Sequence, residues 1–140
     1  MQAKKISRTI LVADDDAPIL DCIRRILEQA NYVVLTSPSG DHALDLIARD
    51  GASVDLVLAD IVMAGSIDGC TLDAKIRQRE ATLPVLFMTG ALLDDDEYIV
   101  EIAKRKLLLR KPFLPKELVE FIDSHLAEGR LPASERAATF

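Results

Sequence analysis

Basic charge and cysteine are both scarce in this 140-residue chain. Lys and Arg number 17 against 23 Asp and Glu, a net charge of −6, so no nucleic acid is expected on a basic face. The two cysteines, Cys22 and Cys70, lie far apart and at no metal or redox spacing. Two reduced thiols in small apolar packing roles are expected, as in an intracellular protein. Long apolar runs are missing too, and none approaches the roughly 20 residues that span a bilayer. The short basic start, Met1 to Thr9, leads into an apolar run, Ile10 to Ala13, that stops at three aspartates. No secretory leader and no membrane partner are expected, and the expected location is cytoplasmic. Glutamate is the last scarcity: 8 of the acids are Glu and 15 are Asp, although Glu is the better helix former. Aspartate is favoured at caps, turns and metal sites, so the question is where the aspartates stand.

What is present is enough apolar residue, 49%, to build one buried core in a chain of one domain's length. Thr9 to Ala13 reads as a buried strand, and Ala17-Pro18 opens a helix at the position where Pro costs nothing. Ile19, Ile23, Ile26 and Leu27 form one helical face, and Asn31 ends that helix. Tyr32 to Thr36 is a second strand, Ser37 to Gly40 a turn, and Asp41 to Arg49 a helix with Ala43, Leu44 and Ile47 inward. Val54 to Ala59 is a third strand ending at Asp60, followed by a loop with Gly65 and Gly69 and a helix from Cys70 to Ala81. Pro84 to Met88 is a fourth strand, Asp94 to Lys106 a helix, and Leu107 to Leu109 a fifth strand. Leu118, Phe121, Ile122 and Leu126 mark a last helix, capped by Gly129, with a loose tail from Arg130 to Phe140. Strands that are apolar throughout imply burial on both faces, hence a parallel sheet sandwiched by helices, with ligands at the carboxyl ends of the strands.

Those ends carry Asp14 and Asp15 after the first strand, Asp60 after the third, Thr89 after the fourth and Lys111 after the fifth. In a parallel sheet they converge on one edge. Three carboxylates would repel one another there unless a cation sits among them. Few carboxylates with retained waters suit Mg²⁺ better than Ca²⁺. The set suits phosphoryl chemistry, in which one carboxylate attacks while Mg²⁺, Lys and Thr take up charge on the equatorial oxygens. Asp16 fits a helix start instead, as do Asp94-Asp95-Asp96-Glu97, whose basic counterpart Lys104-Arg105-Lys106 falls at the other end of the same helix. His42 and His125 lack companions at ligand spacing and receive no role, which argues against a phosphohistidine carrier.

The segments Ile10 to Asp16, Asp60-Ile61-Val62-Met63, Asp68-Gly69, Met88-Thr89-Gly90 and Lys111-Pro112-Phe113 together resemble the receiver domain of two-component response regulators. The resemblance covers about residues 8–127, leaving 1–7 as an N-terminal extension and 128–140 as the tail. It implies an α/β fold, a doubly wound five-stranded parallel sheet of order 2-1-3-4-5, flavodoxin-like, with five helices. By it, Asp60 is the phosphoacceptor, charged by a histidine kinase or histidine phosphotransfer protein. Asp14, Asp15, Asp60 and the Val62 backbone carbonyl hold Mg²⁺, Thr89 is the switch hydroxyl, and Lys111 pairs with the phosphoryl group. The Lys111–Pro112 peptide is expected to be cis.

The resemblance implies no enzyme beyond self-catalysed aspartyl phosphorylation and dephosphorylation. Output is expected by protein contact, through the fourth helix, fifth strand and fifth helix, or by onward phosphorelay from a stand-alone receiver. Three departures stand out. The loop Met63 to Gly69 lacks the usual Pro and is one residue longer; Leu108 replaces the usual aromatic; Val62 and Ala91, flanking the acceptor, are apolar and cannot orient a hydrolytic water. Slow hydrolysis of the phosphorylated form is therefore expected. Two alternatives compete: a receiver-like adaptor never phosphorylated, and a haloacid-dehalogenase-like phosphatase. The latter needs a second Asp where Val62 stands and places its acidic pair last, whereas here it comes first.

Overall fold

The computed structural model describes residues 7–63, 67–90 and 96–126. Five strands, β1 (Thr9–Ala13), β2 (Val33–Ser37), β3 (Leu56–Asp60), β4 (Val85–Thr89) and β5 (Leu108–Arg110), lie parallel in the order β2-β1-β3-β4-β5. Helices α1 (Ala17–Gln29), α2 (Gly40–Asp50), α3 (Gly69–Arg79), α4 (Glu97–Lys104) and α5 (Pro115–Leu126) alternate with them. This is the helix-sandwiched parallel sheet expected from the apolar strands, in the doubly wound order that the resemblance implied.

Side-chain alternation explains why those strands read as apolar throughout. Ile10 and Val12 of β1, Leu56 and Leu58 of β3, and Leu86 and Met88 of β4 pack against Leu20, Ile23 and Leu27 of α1 and Leu118, Ile122 and Leu126 of α5. The residues between them, Leu11, Val57, Ala59, Val85 and Phe87, pack on the other side against Ala43 and Ile47 of α2, Leu72 and Ile76 of α3, and Ile99 and Ile102 of α4. The outer strands β2 and β5 are only half-buried. Winding reverses between β1 and β3, so the carboxyl ends of these two strands form the crevice.

Local signals set the element ends. Asp16 caps α1, accepting from the Ile19 N–H; Asp68 caps α3, accepting from Thr71 at 2.7 Å; Asp96 caps α4, accepting from Tyr98 and Ile99. Asn31, at φ 73°, turns the chain out of α1, and the Tyr32 N–H returns to the Leu27 carbonyl. Tyr32 therefore precedes β2 instead of opening it. Its hydroxyl donates to Asp123 of α5. The helix expected from Asp94 starts at Glu97 and ends at Lys104, where Lys106 at φ 59° turns the chain into β5. Glu80 leaves helical geometry, closing α3 two residues before Ala81. A 3-10 turn, Gly51–Ser53, precedes β3 and moves its start from Val54 to Leu56.

Cys22 is exposed and Cys70 half-buried, so the packing role expected of the thiols does not hold for Cys22. Leu44 is only half-buried. The Gly129 cap, the tail, residues 1–6, Asp94, Asp95 and the loop residues 64–66 lie outside the described residues. Among the described residues, no helix is long and apolar enough to cross a membrane.

Asp55, left without a role in the sequence, is 1% exposed at the amino edge of the sheet. Its carboxylate accepts from the Thr9 N–H at 2.7 Å while its own N–H donates to the Thr9 carbonyl at 2.8 Å, so it pins the start of β1 to β3. Asp55→Ala should destabilise the fold by about 1–3 kcal/mol, the cost of stranding a buried donor, in urea denaturation. Both tyrosines are held neutral above their ordinary pKa of 10.0, chiefly by burial and then by hydrogen bonds to Asp123 and Asp73. Their contribution to stability is complete below pH 10.0 and is lost as pH rises through the higher folded-state values. Tyrosinate absorbance should therefore lag behind a denatured control on alkaline titration, and Asp123→Ala should shorten that lag for Tyr32 without abolishing it, because burial remains.

Candidate functional site

Asp14 directly follows β1 and is 1% exposed. Its N–H donates to the Ser37 carbonyl at the end of β2, at 3.1 Å, and its Oδ1 accepts from the Asp16 N–H at 2.9 Å. Asp60 ends β3 and is 6% exposed, its Oδ1 accepting from the Val62 N–H at 2.9 Å. Lys111 follows β5, its N–H bonded to the Thr89 carbonyl at 2.8 Å and its peptide to Pro112 cis. From there its Nζ reaches Asp14 Oδ2 at 2.7 Å and Asp60 Oδ2 at 2.6 Å. One ammonium thus joins two buried carboxylates that come from strands far apart in sequence.

Thr89 ends β4 and is 1% exposed, paired in register with Arg110. Asp15 is exposed beside this group, and the Val62 side chain is 54% exposed. The structure thus brings all five side chains to one edge, with Lys111 joining Asp14 and Asp60 directly. Ala91 and the loop residues 64–66 lie outside the described residues. Leu108, where an aromatic was expected from the resemblance, pairs with Phe87 and is half-buried.

Electrostatics favour an added cation. Burial raises the pKa of Asp60, and the nearby Asp14 charge adds to that, outweighing the Lys111 and Val62 hydrogen bonds that lower it. Burial pulls Lys111 down, yet its hydrogen bonds and charge attraction to Asp14 and Asp60 leave its pKa raised, so it is an ammonium at neutral pH. Asp14, Asp15 and Asp60 together exceed Lys111 by two negative charges. Among the described residues no group of three His, Cys, Asp or Glu gathers at metal spacing. The donors here are hard oxygens, two of them buried carboxylates, which fits a magnesium-like cation that keeps most of its waters better than a closed metal cage.

Two residues of the site were not legible as such. Gly69 packs so tightly beneath Asp60 that a Cβ there would lie 2.5 Å from the Asp60 carbonyl oxygen and 2.9 Å from Ile61 Cα. The Gly69 N–H donates to the Ile61 carbonyl at 3.1 Å, closing the base of the loop. Ser37, fully buried, ends β2 beside Asp14; its hydroxyl donates to the Ser39 carbonyl and meets His42 Nδ1 at 2.9 Å.

Comparison with known proteins bears on the fold and the family. The chain is 32% identical over 121 residues to the transcriptional regulatory protein YvrH of Bacillus subtilis, covering 84% of this chain and 48% of that protein. It is 26% identical over 117 residues to the response regulator SaeR of Staphylococcus aureus, covering 84% and 50%. The chain therefore spans about half the length of these relatives. A solved response regulator receiver domain protein from Clostridium thermocellum superposes with a TM-score of 0.75 at 28% identity, covering 86% of this chain and 94% of that one. The model of the response regulator receiver domain matches residues 10–123, and the chain belongs to that family.

Proposed function

We propose that this chain is a phosphorylation-switched receiver that accepts a phosphoryl group on Asp60 from a histidine kinase or a histidine phosphotransfer protein. The observation that carries this reading is the Lys111 ammonium bonded at once to the buried Asp14 and Asp60 carboxylates. Asp60 is the carboxylate set into the end of β3, with Asp14 on one side and Thr89 one strand away on the other.

An Asp60 Oδ atom attacks phosphorus, the P–N bond of the donor phosphohistidine breaks, and the electron pair leaves with the imidazole. Lys111 neutralises charge on the transferred oxygens, and Thr89 offers its hydroxyl to one of them. Asp14, Asp15, Asp60 and the Val62 carbonyl would hold Mg²⁺, which when bound offsets the charge of carboxylates and phosphoryl group together. The exposed Val62 side chain carries no group to orient a hydrolytic water, so the acyl phosphate should be long-lived. The chain does no chemistry on substrates other than its own phosphorylation. Its action is cytoplasmic, through protein contact on α4, β5 and α5 or by passing the phosphoryl group onward, and the domain spans residues 8–127.

Incubation with a small phosphodonor and Mg²⁺ should add one phosphoryl mass to the chain and none to Asp60→Asn. An equal adduct on both proteins would refute Asp60 as acceptor. No adduct on either would favour an adaptor that phosphorylation does not regulate. Lys111→Met should slow adduct formation by about 10²-fold, the usual cost of removing one charge-stabilising donor. Once the donor is removed, the wild-type adduct should outlast many seconds; decay within seconds would contradict the role assigned to Val62.

A further inference from the structure

The strand β5 supplies no aromatic ring to read the position of Thr89, since Leu108 has neither ring nor hydroxyl. A ring and a hydroxyl stand instead on the first turn of α4. Tyr98 packs edge-on against Phe87, with ring centroids 6.1 Å apart at 87°, and its hydroxyl donates to Asp73 Oδ2 of α3 at 3.0 Å. We propose that this contact is a clasp between α3 and α4 that reports the phosphorylation state of Asp60 and opens when Asp60 is phosphorylated. The inference rests on the phosphoacceptor reading above.

Both halves of the clasp trace back to the site. Phe87 is 1% exposed and two residues before Thr89, so the two side chains leave the same face of β4, about 7 Å apart along the strand. Asp73 is held by Arg77 at 2.8 Å on α3, the helix that begins with Gly69 beneath the Asp60 carbonyl. When the Thr89 hydroxyl turns toward a phosphoryl group on Asp60, it vacates volume beside Phe87. A close-packed interior refills such space by moving a neighbour. Tyr98, 39% exposed, has one side in the core and one in solvent, so it is the ring free to follow inward. That motion withdraws its hydroxyl from Asp73. The surface of α4 at Tyr98 and Val100 then differs between the two states.

The chain has no tryptophan and two tyrosines, so Tyr32→Phe leaves Tyr98 as the sole source of ultraviolet emission. A carboxylate hydrogen bond quenches tyrosine. Phosphorylation by a small donor, with the adduct verified by mass, should therefore raise the emission. Adding Asp73→Asn should raise emission beforehand and cancel the change. Because the clasp belongs to the unphosphorylated state, Tyr98→Phe should tighten binding of beryllium fluoride with Mg²⁺, a phosphoryl mimic, by about fivefold, the lower end of ordinary coupling. An adduct on Asp60 with unchanged Tyr98 emission, or unchanged mimic affinity in Tyr98→Phe, would overturn the clasp and leave the acceptor standing. Absence of any adduct would overturn both.

Discussion

The Lys111 ammonium, shared between Asp14 and Asp60, is the interaction on which the site depends. Without it, two carboxylates buried this deeply would face lost hydration and mutual repulsion with no compensating partner. The lysine meets them only because three separate strands end on one edge, and because its own backbone is tied to the Thr89 carbonyl. The pairing is incomplete compensation. It leaves Asp60 with a raised affinity for a proton and the cluster with excess negative charge. A group in that condition accepts positive or electrophilic partners readily, which is what a metal ion and a phosphoryl donor are.

The rest of the fold keeps those three ends in register. Parallel pairing of Ala13 with Ala59 and of Asp60 with Met88 fixes the heights of β1, β3 and β4. Burial of both sheet faces makes any slip costly, since a shift by one residue would exchange the two halves of the core. The amino edge is pinned independently by the paired bonds between Asp55 and Thr9. Polar side chains thus hold the sheet at both edges.

Most of this was legible in the sequence. Apolar runs of strand length, helical periodicity and the residues at strand ends led to the layered architecture and to Asp14, Asp60, Thr89 and Lys111. The limits had physical causes. Asp55, Asp73 and Asp123 look like surface acids because their partners, a Thr9 N–H and two tyrosine hydroxyls, are 25 to 91 residues away in the chain. Tyr98 was invisible for the same reason, and Gly69 read as a turn residue because close approach of two backbones leaves no periodicity. Cys22 was misjudged because it lies among isoleucines of a helix, yet on the helix's outward side.

The hydrogen bond from Gly69 to Ile61 has a consequence for how such a chain can diverge. It stitches the segment after Asp60 shut at its base, with α3 starting from the stitch. Residues can then be gained or lost above it while the helix and Asp60 keep their places. Changes in the length of that segment are expected to leave the base in place, whereas any side chain at position 69 would collide with the backbone of Asp60 and Ile61.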